Sequence, residues 1–201
     1  EYLANYARLN RADADISPIA RQVAAAREAG ADAVVALIHW GLEFESFPAS
    51  NVVEMGHRLC RLGIDVVVGN HPHNVQPMER YAYDDPETGA RGEGLILYAL
   101  GDLVSVHRTL PNSRLGCLAR IRISKGVKDA SGLVRVTSLE VLPVYLLVRK
   151  DRGEVRDFRV LDFRKLAAEL RSGIDRHGLG RKGAGEVRRL EALMNRVLAA
   201  T

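Results

Sequence analysis

The stretch that most constrains this chain is a short apolar run, residues 66–68, which ends in Gly69-Asn70-His71-Pro72-His73. Consecutive β-branched residues bounded by turn residues are typical of a strand that is covered on both faces. In open α/β sheets, ligands bind in the crevice outside the carboxyl ends of such strands. The sequence therefore predicts a buried strand that delivers His71 and His73 to a binding site.

A second apolar run repeats this arrangement, because residues 33–38 lead directly into His39-Trp40-Gly41. Neutral imidazole is the commonest nitrogen ligand of Zn, Mn, Fe and Ni. In an extended stretch, residues i and i+2 point to the same side, so His71 and His73 are expected to face one centre. A lone histidine is more often structural, but three at the ends of two strands predict a divalent-metal site formed by His39, His71 and His73.

The other histidines and the two cysteines are not predicted to take part in this site. His57 lies inside a predicted helix and His177 lies in a glycine-rich link, so both are expected to be structural. His107 follows a predicted strand and is a weaker candidate. Cys60 and Cys117 are far apart and form neither a CxxC motif nor a disulfide framework, so we expect two small buried side chains.

Carboxylates for a complete metal centre are less evident than the histidines. A centre with two ions normally needs a bridging carboxylate and further oxygen ligands. Asp102, Glu43 and Glu79 are the acids that could contribute, but neither an Asp-x-His nor a Gly-Asp-x-x-Asp pattern is present. The residues alone therefore reveal half of a metal site, and a histidine cluster without metal stays open as an alternative.

The order of the predicted elements indicates an α/β fold. Helix, strand, helix and strand alternate over residues 17–69, which is the signature of a mostly parallel sheet with helices on its faces. Ser17 is the expected N-cap of the first helix, with Pro18 at its first position. An antiparallel pair is predicted at residues 75–83 and 95–100, and further strands are predicted at 117–124, 134–142 and 144–148. Two helices are predicted from residue 163 onward, separated by a glycine-rich link at 173–185.

Composition narrows the function classes. The formal net charge is +4, with the basic excess in the last third of the chain. Few aromatic residues accompany those basic residues, so we expect a solvated basic surface that favours anionic partners, and no specific nucleic-acid site. No run is long enough to span a membrane and no leader segment is visible. We predict one domain over residues 1–148 and a basic, mainly helical C-terminal extension over residues 149–201.

Residues 31–106 resemble the CapA family of bacterial capsule and poly-γ-glutamate biosynthesis, whose domain is similar to calcineurin-like metallophosphoesterases. The resemblance is carried by three segments that occur in the family's order and spacing. The last departs from the family's usual Ser-Leu-Gly-Asn-Phe at Ala99 and Asp102. The segments are Ile38-His39-Trp40-Gly41 with Glu43, Gly69-Asn70-His71-Pro72-His73 with Val75-Gln76, and Leu97-Tyr98-Ala99-Leu100-Gly101-Asp102-Leu103-Val104.

This resemblance implies specific roles for the site residues. His39 matches the family's isolated metal-binding histidine, and His71 and His73 match the histidine pair that closes the phosphoesterase site, with His71 also expected to act in catalysis. The first aspartate and the asparagine-histidine motif of such proteins come from an N-terminal half, which would precede Glu1. Weaker roles near the substrate or behind the ligands are expected for Trp40, Glu43, Asn70, Gln76 and Asp102; Trp40 is equally compatible with an ordinary core position.

The resemblance also implies a function. We expect the C-terminal part of a layered α/β/β/α metallophosphoesterase-like domain, which hydrolyses a phosphoester with divalent Mn, Fe or Zn ions, two of them when the upstream half is present. The alternative is a non-catalytic component that binds an anionic polymer during its assembly or export. A bacterial, extracytoplasmic or membrane-associated location and contact with a membrane-bound polymer synthesis complex are expected. The oligomeric state stays open.

Overall fold

The computed structural model of the chain describes residues 7–11, 13–84, 89, 91–104, 110–126 and 134–199. Helices and strands alternate in the first part, and strands follow one another in the second. The elements are α1 (Ser17–Glu28), β1 (Val35–His39), α2 (Ser50–Arg61), β2 (Val66–Asn70), β3 (Met78–Asp84), β4 (Arg91–Leu97), β5 (Leu115–Lys125), β6 (Val134–Asp151), β7 (Glu154–Asp162), α3 (Phe163–Arg171) and α4 (Gly180–Ala199).

The first sheet has the strand order β1-β2-β4-β3. β1, β2 and β4 are parallel, whereas β3 is antiparallel to β4. Both features were predicted, the first from the alternation of helices and strands and the second from the short connection between β3 and β4. Since parallel strands end at the same edge, His39 of β1 lies opposite Asn70 of β2 at the carboxyl edge of this sheet.

Apolar side chains cover both faces of the first sheet, as the continuous apolar run of β2 predicts. On one face, Val67 packs in a core with Met55 and Leu59 of α2, both fully buried. On the other face, Val66 and Leu97 pack in a second core. Complete burial of a side chain of this size contributes about 1.5–3 kcal/mol, so the two cores hold the sheet firmly between its covering layers.

The second sheet is antiparallel, with the order β5-β6-β7. The sequence predicted separate strands at 134–142 and 144–148, but β6 runs without interruption through Pro143. The pairing of β6 with β7 ends at Val144 and Asp162. Pro143, which has no N–H to donate, therefore has no residue of β7 opposite it. The prediction also missed β7, because its charged residues were interpreted as part of a solvated basic segment.

The C-terminal helices pack into the same core as the first sheet. Phe163 of α3 and Leu190 of α4 are fully buried together with Leu97 of β4. The predicted domain boundary after residue 148 falls inside β6, and 149–201 contains a strand before its two helices. The predicted glycine-rich link is shorter than expected, because α4 begins at Gly180.

Three smaller features of the fold are the start of α1, the two cysteines and the apolar character of the helices. Helix α1 begins at Ser17 itself, and the Asp15 carboxylate accepts a hydrogen bond from the Ser17 N–H, so the prediction of Ser17 as N-cap was wrong by one position. Cys60 and Cys117 are free and buried, as predicted, and burial raises the pKa of each thiol to about 12. Among the helices that the structure describes, none has the length and apolar character needed to cross a membrane.

Candidate metal centre

The three predicted histidines meet at the carboxyl edge of the first sheet. His39 is the last residue of β1 and His71 directly follows β2, so the parallel register sets the two rings side by side. Their ring centroids are 4.3 Å apart, and those of His71 and His73 are 6.1 Å apart. The fold thus brings together imidazoles that are separated by more than thirty residues of sequence.

The backbone that presents His71 and His73 is not extended, contrary to the reasoning from alternation. Their φ angles are 110° and 58°, in the region that non-glycine residues rarely adopt. Phe44, whose ring lies 5.5 Å from that of His73, also has a positive φ, of 67°. Each such residue costs on the order of 1–3 kcal/mol and persists where surrounding structure imposes it, which is characteristic of functional sites.

A carboxylate orients the ring of His73. Its Nδ1 lies 2.8 Å from Asp102 Oδ1, and the Asp102 side chain is only 10% exposed. An ionised carboxylate can only accept, so Nδ1–H donates and Nε2 is left as the nitrogen that can bind a metal. Nε2 faces Glu43, whose Oε1 is 4.0 Å away. This carboxylate–histidine arrangement is the usual support behind a metal ligand.

Within the described residues, the potential ligand atoms of Glu43, His71 and His73 lie within 4.8 Å of one another. This group fits a divalent ion, since it combines two imidazoles with one carboxylate. His39 is outside this tight group but adjoins it through His71. The three predicted histidines thus lie at one edge of the sheet, and Glu43, predicted only as a weaker contributor, belongs to the innermost group. That these residues bind a metal stays a prediction.

The electrostatics of His71 favour a ligand. Burial lowers the pKa of His71, the neighbouring ring of His39 lowers it further, and His73 acts in the same direction, while the Glu43 carboxylate partly opposes them. A lowered pKa keeps the ring neutral at neutral pH. Since only the neutral imidazole coordinates a metal, His71 is prepared for this role without having to lose a proton first.

Hydrogen bonds fix the loop that carries Glu43. The Phe44 N–H donates to the Pro72 carbonyl at 2.7 Å, and the buried Asn74 amide donates to the Phe44 carbonyl. Gln76, which is 2% exposed, donates to the Glu45 carbonyl at 3.1 Å. These bonds tie the loop after β1 to the loop after β2. Gln76 therefore supports the site from beneath rather than facing a substrate.

Sequence reasoning did not identify two asparagines that brace these loops. One is Asn74, adjacent to His73, where a buried amide beside a histidine motif was an available signal. The other is Asn10, whose side chain accepts from the Gly41 N–H at 2.7 Å and donates to the Gly41 carbonyl at 3.1 Å. No local pattern marks Asn10, because its partner is 31 residues away.

Trp40 belongs to the core beneath the site. Its side chain is 1% exposed, and its Nε1–H donates to the Tyr98 carbonyl at 2.9 Å. The Trp40 N–H also donates to the Asn70 carbonyl, which extends the β1–β2 pairing by one step. Of the two interpretations left open by the sequence, the structure corresponds to the core position. Asn70 itself is exposed at the edge of the site.

The remaining candidates lie elsewhere or outside the described residues. His57 on α2 contacts Glu79 Oε1 at 2.9 Å and stacks on Tyr81, in agreement with its predicted structural role. Glu79 is engaged there and by the Tyr98 hydroxyl at 2.6 Å, away from the metal group. His177 lies in the α3–α4 link, as predicted, whereas His107 is not among the described residues.

Comparisons with known proteins find similarity to proteins of bacterial capsule synthesis. The sequence model of the family described as bacterial capsule synthesis protein PGA_cap matches residues 2–107, more than half of the chain. The capsule biosynthesis protein CapA of Bacillus anthracis is 31% identical over 78 residues, 39% of this chain and 16% of that protein. The PGA biosynthesis protein CapA of Bacillus subtilis is 27% identical over 111 residues, 55% of this chain and 26% of that protein.

A protein of Mycobacterium tuberculosis named "Probable polyglutamine synthesis accessory protein" is 37% identical over 86 residues, 43% of this chain and 20% of that protein. The matched segments thus span only 16% to 26% of the length of these relatives. The family match contains β1 to β4 and, with them, all three histidines of the site. The chain belongs to the bacterial capsule synthesis protein family PGA_cap.

Proposed function

We propose that this chain forms the histidine-bearing part of a metallophosphoesterase-type domain that binds divalent metal and hydrolyses a phosphoester. The observation that carries the proposal is the group of Glu43, His71 and His73 with Asp102 behind His73. Two sheets with helices packed on the cores beside them support the layered α/β/β/α arrangement that such a domain has. The family's resemblance to calcineurin-like phosphoesterases supplies the reaction class.

In this proposal the ligands are His71, His73 and Glu43, with His39 as the third histidine. A divalent Mn, Fe or Zn ion held there would act as a Lewis acid and would lower the pKa of water bound to it toward about 7. The residues of this chain would hold the ion and orient the side chains that bind it. Asp102 fixes the ring of His73, and the lowered pKa of His71 favours its ligand role over proton donation at neutral pH.

A second ion needs more oxygen ligands than this group provides. The described group holds one carboxylate, Glu43. The family resemblance assigns the remaining ligands to an N-terminal half, and the relatives are several times longer than the segments that match. We therefore propose a dinuclear centre for the whole protein, with the histidine side supplied by this chain.

The biological role follows from the family and from the names of the relatives. We propose that the chain acts in the synthesis of a capsule or of poly-γ-glutamate, in a bacterial, extracytoplasmic or membrane-associated location. Its partners would be a phosphoester or anionic polymer and a membrane-bound synthesis complex. The rival proposal, a non-catalytic polymer-binding component, keeps the same fold and predicts polymer binding without metal.

Asp102 offers a test of the metal centre that leaves the ligands in place. We expect Asp102→Ala to weaken metal binding by about 10–100-fold, since the loss of a partner behind a ligating histidine typically has this effect. Asp102→Asn should retain more affinity, because its amide oxygen can still accept from His73 Nδ1–H. Metal titration followed by calorimetry measures both. Equal affinity for wild type and Asp102→Ala would remove Asp102 from the proposed site.

Turnover of a generic phosphodiester separates the two proposed functions. We expect a longer form of the protein, which carries the upstream half, to hydrolyse bis(p-nitrophenyl) phosphate only with added Mn²⁺ or Zn²⁺. His71→Ala in that form should lower the rate at least about a hundredfold, since it removes a direct ligand. EDTA should abolish the activity reversibly. Absence of turnover in that form, together with metal-independent binding of poly-γ-glutamate, would favour the non-catalytic proposal.

A further inference from the structure

Several arginines of the basic segment predicted in the last third of the chain are paired with carboxylates. Arg159 and Arg149 both approach Asp157, at 2.8 and 3.7 Å. Arg156 pairs with Glu154 at 3.1 Å, and Arg176 on the following link pairs with Glu169 at 3.2 Å. Guanidinium groups already paired with carboxylates attract an anion weakly. These four arginines are therefore weak partners for the anion that the composition suggests.

A cleft of about 500 Å³ lies at the opposite edge of the first sheet from the histidines. Its lining includes Asp65, just before β2, and Arg91, the first residue of β4, so it faces the amino ends of the parallel strands. The first two residues of β6 form another wall. Arg80 of β3 donates to the Val136 carbonyl at 2.9 Å and fixes β6 beside this cleft. The volume lies in the range of ligand-binding clefts.

Two of the charged residues in the cleft are structural. Arg27 donates to Asp65 at 2.7 Å and to the carbonyls of Asp32 and Gly63 at 2.7 and 2.9 Å. The Asp65 carboxylate also accepts from the Val34 N–H at 2.7 Å. All the strong interactions of this pair are made within the protein. Arg27 and Asp65 thus form a neutral, braced floor.

The positive charge that is left comes from two arginines. Glu93 in the lining is paired with Arg80 at 2.9 Å. Among the residues that the structure describes, Arg91 and Arg135 have no ion-pair partner, although both line the cleft. Asp84 lies opposite Arg91 in the β3–β4 ladder without forming an ion pair with it there. Within the described part of the chain, the cleft therefore presents two guanidinium groups that are not paired with a carboxylate.

An aromatic ring forms one wall of the same cleft. Tyr83 lies over Gly92, its cross-strand partner, so closely that a β-carbon on Gly92 would come within 2.5 Å of the ring. The ring is stacked on Tyr81, whose centroid is 5.7 Å away. A flat wall beside two guanidinium groups forms a defined concave surface rather than a pair of isolated exposed arginines.

We propose that this cleft binds an anion that carries two or more carboxylate or phosphate groups, with Arg91 and Arg135 as its charge partners. Guanidinium forms two parallel hydrogen bonds with either group, so both ligand types share the chemistry that the cleft offers. The site is separate from the histidines and goes beyond the proposed hydrolysis. An extended polyanion with regularly spaced acidic groups suits two arginines on different strands.

Calorimetric titration at low salt tests this site with three defined probes. Triglutamate tests carboxylates, inorganic tripolyphosphate tests phosphates, and triglutamine has the length of the first without its side-chain charges. We expect saturable binding of at least one anion and a lower affinity for triglutamine by about tenfold or more. The anion that binds more tightly identifies the source of the acidic groups. No saturable binding of either anion at millimolar concentration would overturn the proposal.

Paired variants locate the binding. Arg91→Gln/Arg135→Gln should weaken binding by about tenfold or more, because it removes both charge partners. Arg188→Gln/Arg189→Gln removes the same two charges from the exposed side of α4 and should leave the affinity within about twofold. Equal losses in both variants would assign binding to overall charge and refute the cleft. Arg91→Gln/Arg135→Gln should leave the metal content unchanged, so the result of this test does not depend on the proposed hydrolysis.

Discussion

The double variant His71→Ala/His73→Ala is expected to lose its bound metal. Purified wild-type protein incubated with excess Mn²⁺ or Zn²⁺ should retain the ion through desalting, whereas the variant should return to background. The two imidazoles supply most of the described ligand group, leaving Glu43 as its remaining member. Even the loss of a partner behind a ligand typically costs about 10–100-fold in affinity, so removal of two direct ligands should lower it by at least about a hundredfold. Elemental analysis measures this directly.

A matched control separates loss of the site from loss of imidazoles in general. His177→Ala removes a histidine from the α3–α4 link, far along the chain from the site, and should keep its metal. The thermal midpoint of each variant shows whether the fold persists. Equal metal content in wild type and double variant would contradict the assignment of His71 and His73. Absence of metal from all three proteins after loading would refute the metal centre altogether.

The position of the site could be predicted because it depends on topology more than on detail. Apolar runs with turn residues after them indicate strands, and strands connected through helices are parallel. Parallel strands end at one edge, so two strands that end in His39 and Asn70-His71 had to bring their histidines together. None of this requires knowledge of a single side-chain contact. The same reasoning identified the antiparallel β3–β4 pair.

The inner geometry of the site could not be predicted, because it depends on contacts between distant segments. Alternation suggested that His71 and His73 face one side of an extended chain, but both backbones have positive φ. That conformation is imposed by hydrogen bonds such as the one from the Phe44 N–H to the Pro72 carbonyl. The bond from His73 to Asp102 likewise joins segments 29 residues apart. The sequence around each of these residues does not indicate which distant residue it will bond to.

The C-terminal region was misjudged for a related reason. β7 contains both charged and apolar residues, and its charges suggested a solvated basic surface. In the structure one of those charges pairs across strands, because Asp157 of β7 contacts Arg149 of β6. Cross-strand pairing of opposite charges stabilises a sheet, so a charged segment can be a strand when its partner is complementary. Only the β6–β7 register reveals that complementarity.

Gly69→Ala is expected to destabilise the protein by about 3 kcal/mol. The indole of Trp40 crosses β2 at Gly69 to reach the Tyr98 carbonyl, and a β-carbon there would lie 2.2 Å from both Trp40 Nε1 and Tyr98 O. The added carbon would force overpacking, which costs about 1–3 kcal/mol, and would break a hydrogen bond worth about 1 kcal/mol. For a chain of this size the thermal midpoint should fall by about 6–12 °C.

Gly69 does not have a positive φ, so Gly69→Ala introduces a steric clash without backbone strain. Gly185→Ala is the matched control. Gly185 lies within α4, where the nearest atom to a new β-carbon is the flexible Arg188 guanidinium at 3.8 Å. Alanine is favoured over glycine in a helix by up to about 1 kcal/mol, so this variant should be slightly more stable than wild type. An unchanged midpoint for Gly69→Ala would mean that Trp40 does not cross β2 there, and the packing that supports His39 from beneath would have to be revised.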